Sequence, residues 1–391
     1  MNILYIVSRP LEINSSSSIR NRATINGLLE LGHNVKMITS KFDKNHKSFD
    51  NNMSNNKIET EYIELNGIQN VAKFGRKFKK LDFFKKYFLK IQKKINIYDN
   101  FKNIINHIGD IDISNNNYDL VISSSDPKSS HLLVYEMYNR GILKNTPWIQ
   151  IWGDPFVGDI TNTGLNKKRI KREEEKLLEK ATKVIYVSKP TLIDQKNRYP
   201  QFKEKMEYVP IPYVKKMIYE NRKNPVDGKI SLLYCGDYGS KVRNISPLYE
   251  AIKSTSDKLT VCGRTDIKLE STENIDVHER VSFDKTKEYE KESDILIHLS
   301  NLRGTQIPGK IYQYSGTNKP ILFILDGEKE LLQKTFEPYN RYIFCDNTKE
   351  DIMRAIKVIK ESNVTYAPVD EFSPVNIAKK ILDFYNPKED S

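Results

Sequence analysis

Apolar residues along this chain fall into short continuous runs separated by amphipathic stretches, the pattern of a parallel sheet whose strands are covered on both faces. Residues 2–7 form the first run. An amphipathic segment over 19–31, the turn Gly32-His33-Asn34 and a second run over 35–39 follow. This order predicts strand, loop, helix, turn and strand, the opening of a βαβ sheet whose ligand loops lie at the carboxyl ends of its strands. Runs at 118–123, 148–152 and 184–188 continue the rhythm, the last after a charged helix that carries Arg172-Glu-Glu-Glu175 and ends at Ala181. Val209-Pro-Ile-Pro212 cannot sit in a central strand and reads as a stiff connection. Beyond it the alternation restarts, with runs at 230–234, 259–261, 295–299, 321–325 and 342–345 and helices over 247–252, 328–335, 349–361 and 374–385.

At 391 residues the chain is too long for one ordinary core, so two Rossmann-like α/β domains with parallel sheets are expected. The boundaries drawn are 1–210, 211–370 and a terminal helical segment, 371–391, returning to the first domain. The N-terminus leads directly into a strand and no apolar run has the length to span a bilayer, so a cytoplasmic protein is expected. Cys235, Cys262 and Cys345 each lie in or beside an apolar run without CxxC or Cys/His spacing, the placement of reduced core thiols; no metal site is expected.

The formal net charge of +12 points to an anionic partner without naming it. Much of it is concentrated at 73–94, where ten Lys and Arg face the single Asp82. Phe74, Phe78, Leu81, Phe84, Phe88 and Ile91 recur there at helical spacing, with Lys77, Lys80 and Lys85 among the flanking cations. Such a helix suits an anionic membrane surface; it equally suits an apolar stripe packed on its own domain. With no nucleic-acid-binding motif and the charge confined to one helix, no nucleic-acid partner is expected. The preceding stretch, 45–56, is polar and loop-like.

Candidate chemistry collects at strand ends. The loop after the first strand is rich in serine, including Ser17 and Ser18, and leads to Arg20; Ser18 is also placed to cap the helix. Asp126 and His131 follow the strand at 118–123, and Asp154, in Gly-Asp-Pro, ends the strand at 148–152. These three are acid/base candidates, although Asp-Pro also opens turns and a lone helical His is often structural. In the second half, Gly236-Asp-Tyr-Gly-Ser-Lys241-Val-Arg243-Asn244 is a glycine-containing loop with two cations before a helix, suited to a diphosphate or simply solvated. Gln306-Ile-Pro-Gly-Lys310 then turns a strand into a short helix closed by Gly316, with Pro308 and Gly309 at its start and Lys310 in its first turn. The free N–H groups and the ammonium there would attract an anion.

The whole stretch, Pro308-Gly-Lys-Ile-Tyr-Gln-Tyr-Ser-Gly-Thr-Asn-Lys-Pro-Ile321, resembles the donor-site signature of GT-B glycosyltransferases of family 4, particularly those that build bacterial surface polysaccharides. The resemblance implies two Rossmann-like domains facing a central cleft. It also implies glycosyl transfer from a UDP- or GDP-sugar to an acceptor hydroxyl on a polyprenyl-linked or growing glycan, with retention and without a required cofactor or metal. Arg243 and Lys310 would stabilise the leaving diphosphate, with Lys241 in reserve and Gly236 and Asn244 in the same loop. Gly263 and Arg264 follow the next strand, and Val281 and Ser282 match the loop whose backbone reads the base. In the family a Glu seven residues before the strand's Pro holds the ribose; Gln313 stands there, keeping hydrogen-bonding capacity without charge. A second family Glu, eight residues earlier, is replaced by Thr305. These departures keep two alternatives open, a binding protein without turnover and a nucleotide-sugar epimerase; a membrane-surface scaffold is the third.

Overall fold

The computed structural model describes residues 1–41, 49–50, 57–65, 97–113, 117–160, 166–220, 228–362 and 364–385. The basic stretch 73–94, with Lys77, Lys80, Phe84, Lys85 and Phe88, lies outside them, as does most of 45–56. The chain divides into two compact units. One comprises Met1–Val187, Thr191–Val209 and Ala378–Ser391, the other Ser188–Pro190 and Pro210–Ile377.

The first unit holds a seven-stranded parallel sheet in the order β3-β2-β1-β4-β5-β6-β7. Its strands are β1 (Asn2–Ile6), β2 (Asn34–Ser40), β3 (Glu59–Ile63), β4 (Leu120–Ser124), β5 (Trp148–Trp152), β6 (Lys183–Tyr186) and β7 (Met206–Tyr208). Helices α1 (Ser16–Glu30), α2 (Ser129–Asn139), α3 (Lys167–Lys180) and α4 (Lys189–Arg198) connect them. Every residue of β4 and β5 is buried, as expected for continuous apolar runs at the centre of a sheet covered on both sides. β3, with the sequence Glu-Thr-Glu-Tyr-Ile, is the edge strand and keeps its polar residues half out of the core, so its pattern is easily missed.

The second unit holds a six-stranded parallel sheet in the order β10-β9-β8-β11-β12-β13. These strands are β8 (Ser231–Cys235), β9 (Lys258–Cys262), β10 (Ile275–His278), β11 (Ile295–Leu299), β12 (Ile321–Leu325) and β13 (Tyr342–Asp346). The helices are α5 (Ser246–Lys253), α6 (Phe283–Glu292), α7 (Lys310–Ser315), α8 (Lys329–Phe336) and α9 (Lys349–Glu361); α10 (Pro374–Asp383) begins in this unit and ends in the first. β11 and β12 are wholly buried. An aromatic cluster of Tyr312, Phe323, Phe336 and Phe372 packs edge to face beneath α7, which fixes where that short helix stands.

In each sheet the order reverses at one place, between β1 and β4 and between β8 and β11. A crevice opens at the carboxyl ends of strands where the connections part to opposite faces, so these two edges are where ligands are expected. No helix among the described residues is long and apolar enough to cross a membrane.

Candidate functional site

At the β1/β4 edge, Ser15 rather than Ser18 caps α1, its Oγ accepting from the Ser18 amide at 3.2 Å. Ser18 instead donates to the Pro10 carbonyl at 3.3 Å, and Ser17 accepts from Arg9 at 3.4 Å. The serine loop is thus folded onto itself, with both side chains buried. Arg20 is also buried and donates from Nη2 to Ser124 Oγ at 3.2 Å. It runs past Gly153, where a Cβ would stand 2.4 Å from its Nη1, so only glycine leaves it room.

Arg20 lies within the fields of Asp126 and Asp154, which oppose the lowering of its pKa by burial. Burial, then the neighbouring Asp126, pushes Asp154 up to about 7, and its protonated carboxyl donates a hydrogen bond to Asp126. Lys128 pairs with Asp126 and with Asp159, the latter at 3.2 Å. Burial works against its charge, but the carboxylates of Asp126, Asp159 and Asp154 outweigh it and keep the lysine protonated.

His131 is set by a chain of donors. The Trp148 indole N–H, which can only donate, gives its proton to Ser123 Oγ at 2.8 Å. The Ser123 hydroxyl stands 2.7 Å from His131 Nδ1. Burial drives the imidazole pKa well below its ordinary value, helped by Lys128 and Arg20. The other ring nitrogen, Nε2, is buried and has no protein partner.

The loop that bears Asp154 is held by a residue the sequence pattern hid. Glu174 of α3, within the charged run Arg172-Glu-Glu-Glu175, is fully buried. Its carboxylate accepts from the amides of Phe156 at 2.8 Å and Val157 at 2.9 Å and from the Tyr199 hydroxyl at 2.7 Å. In sequence it looks like one of three solvated carboxylates.

At the β8/β11 edge the loops are backbone-tight. A Cβ on Gly263 would fall 2.0 Å from the Gly236 carbonyl oxygen, so the loops leaving β8 and β9 touch main chain to main chain. Arg243 spans the point of reversal, donating from Nε to Asn301 Oδ1 at 2.8 Å and from Nη1 to the Asp237 carbonyl at 2.5 Å. Asn301 in turn donates to the Gln306 carbonyl at 2.8 Å. Asn244 Oδ1 accepts the Ser246 amide at 3.2 Å and starts α5, while Lys241 is exposed. Arg264 is bound to Asp237 at 2.8 Å. Ser282 caps α6 through the Lys285 amide at 3.2 Å, and Val281 beside it is half-buried.

Pro308 and Gly309 lead into α7, which has only six residues. So short a helix contributes little dipole, and the positive charge there rests on Lys310. Its Nζ lies 3.8 Å from Glu290 Oε1. Glu290 is buried on α6 and also takes Lys287 at 2.6 Å and the Tyr219 hydroxyl at 3.2 Å. Gln313, expected to face a ribose, has both ends of its amide on the main chain: Oε1 accepts from the Val214 amide at 3.0 Å and Nε2 donates to the Pro212 carbonyl at 3.0 Å. Lys319 of Lys-Pro-Ile is likewise structural, its buried ammonium closing the end of α6 on the carbonyls of Lys291 and Ser293.

Among the described residues no group of three or more His, Cys, Asp or Glu is arranged to hold a metal ion. No protein-family model matches the chain, and no curated protein matches it. Its fold is similar to those of solved structures. "Glycosyltransferase from Rickettsia africae ESF-5" aligns at 16% identity with a TM-score of 0.56 over 100% of this chain and 99% of the other. "Trehalose-6-phosphate from E. coli bound with UDP-2-fluoro glucose" gives 8% identity and a TM-score of 0.57 over 98% and 96%. "UDP-N-acetylglucosamine 2-epimerase" gives 10% identity and 0.55 over 100% and 97%. The two parallel-sheet α/β units are those of the GT-B architecture.

Proposed function

We propose that the protein is a glycosyltransferase that moves a sugar from a nucleotide diphosphate sugar, a UDP- or GDP-sugar, to an acceptor hydroxyl. The observation that carries this reading is the β8/β11 edge. Two glycine loops meet main chain to main chain there, which leaves backbone without side-chain cover, and Arg243 and Lys310 stand beside them with their charges only partly engaged. Charge that grows on the leaving diphosphate would be met by these cations without reorganisation, which is how such a site accelerates glycosyl departure. The neighbour bound to UDP-2-fluoro glucose supports a donor of this kind.

The proposal includes the family 4 resemblance, metal independence and retention of configuration. A polyprenyl-linked or growing surface glycan as acceptor and a peripheral position on the inner membrane face rest on the basic stretch 73–94. The domain limits 1–210, 211–370 and 371–391 belong to the same reading, with Asp126, Asp154 and His131 serving the acceptor hydroxyl. Purified protein incubated with UDP- and GDP-sugars and a polyprenyl-linked acceptor is expected to release the nucleoside diphosphate and give a product of unchanged anomeric configuration by NMR. Flotation with anionic vesicles, lost when Lys77, Lys80 and Lys85 are changed to Glu, tests the membrane part.

A nucleotide-sugar epimerase is the second reading, favoured by one observation. Asp126 and Asp154 share a hydrogen bond, and Asp154 is poised near neutrality, a proton-transfer arrangement an epimerase would use. Interconversion of the donor sugar without any acceptor would replace the transferase with this alternative. The side-chain amide of Gln313 braces the main chain, which suits a protein that binds without turnover only if no product of either kind appears.

A further inference from the structure

Cys235 and Cys262 are partners in the register of the parallel strands β8 and β9, each the last residue of its strand. Register partners in a parallel pair point to the same face of the sheet, and neighbouring strands run about 4.7–4.9 Å apart. That spacing falls inside the Cα separation a disulfide spans, roughly 4.4–6.8 Å. Both thiols are free and buried, on one face of the same strand pair. Immediately after them come Gly236 and Gly263, the two residues in main-chain contact, and the Gly236 amide donates to the Cys262 carbonyl at 2.9 Å.

We propose that Cys235 and Cys262 form a reversible dithiol/disulfide pair that, when oxidised by a peroxide, distorts the two glycine loops and weakens binding of a diphosphate at the β8/β11 edge. The effect on binding rests on the transferase reading; formation of the bond does not. Cys235 lies beside the Lys310 charge, which favours its thiolate, so it is taken as the attacking sulfur. Its sulfur attacks the peroxide, forming a sulfenic acid and releasing hydroxide. The Cys262 sulfur then displaces that hydroxyl, which leaves as water with the Cys262 proton, and an S–S bond forms. Two thiols and one peroxide thus give one disulfide and two waters. Both residues are almost fully covered, at 6% and 3% exposure, so the reaction admits a small oxidant and resists a bulky one.

The two loops have no slack to absorb this bond, because Gly263 already lies against the Gly236 carbonyl. Cys345 is the internal control. It lies on β13, away from the pair in strand order, and burial raises its pKa to about 12.

The full chain is treated with hydrogen peroxide, alkylated and digested without reductant, in parallel with Cys235→Ser, Cys262→Ser and Cys345→Ser. Lys and Arg residues between the two cysteines let trypsin separate them. The expected result is a linked peptide containing Cys235 and Cys262, short of two hydrogens and released by dithiothreitol, with Cys345 alkylated. The rise in melting temperature caused by UDP falls to roughly half or less in the oxidised wild type and returns on reduction. Cys345→Ser behaves as wild type, and the other two variants keep their UDP response under peroxide. Alkylation of both Cys235 and Cys262 after peroxide, or a linked peptide with an unchanged UDP response, overturns the proposal. Reduced protein that no nucleotide stabilises counts against the transferase reading instead, and the peptide map still decides whether the pair closes.

Discussion

The two strand-end edges of this protein use charge in opposite ways. At β1/β4 two buried cations, Arg20 and Lys128, stand among three carboxyl groups, Asp126, Asp154 and Asp159, and Asp154 is held near half protonation at neutral pH. At β8/β11 three cations, Lys287, Lys310 and Arg243, have Glu290 as the nearby carboxylate partner of two of them, and Arg243 is held by neutral groups. One edge surrounds its cations with carboxyl groups; the other holds more cations than carboxylates near them. Rossmann-like topology supplies both crevices; the residues just beyond the strands decide what each can bind.

The largest effect is expected where the donor-type edge depends on bare backbone. Gly263→Ala puts a methyl group against the Gly236 carbonyl, and main chain cannot step aside as a flexible side chain can. A loss of about 3–4 kcal/mol of stability in urea unfolding is expected, together with the nucleotide response. A variant as stable as wild type would mean that the two loops are not pressed together.

Glu174→Ala tests the other edge by removing the partner of two amides and a buried hydroxyl. It should cost about 2–3 kcal/mol and leave nucleotide binding to the surviving folded protein unchanged. Equal losses of stability and nucleotide affinity would erase the distinction between the edges.

Asp154→Asn sharpens the comparison through pH rather than through a uniform loss of stability. The folded-state pKa of Asp154 is raised, so between its unfolded value near 4 and about 7 the native state binds more protons than the unfolded one. Stability therefore falls as pH rises through that window and levels off above it. Asn cannot ionise and removes this slope, so the variant should gain a few degrees in melting temperature over wild type at pH 8 relative to pH 5. Parallel curves for the two proteins would show that Asp154 titrates normally.

Much of the fold was legible in the sequence because parallel strands covered on both sides are nearly pure apolar runs, as in Ile-Leu-Phe-Ile-Leu of β12. β3 was not, since an edge strand need not be apolar. The candidate chemistry was legible as residue types at strand ends, which topology alone brings to one edge. Partners were hidden. Glu174 reads as surface charge until Phe156 and Tyr199 are seen around it, and the hold of the Gln313 amide on Pro212 and Val214 has no signal in the sequence. Cys235 and Cys262, 27 residues apart, become a pair only through strand register.

The most direct test is a thermal-shift comparison of wild type, Lys310→Ala, Arg243→Ala and Asp154→Asn with UDP, GDP, dTDP and CMP. One nucleoside diphosphate should stabilise the wild type and Asp154→Asn alike. Each cation variant should lose most of that rise, as expected when a charged contact of about 1.5–3 kcal/mol is removed. Stabilisation retained in both cation variants, or lost only in Asp154→Asn, would contradict the assignment of the anion to the β8/β11 edge.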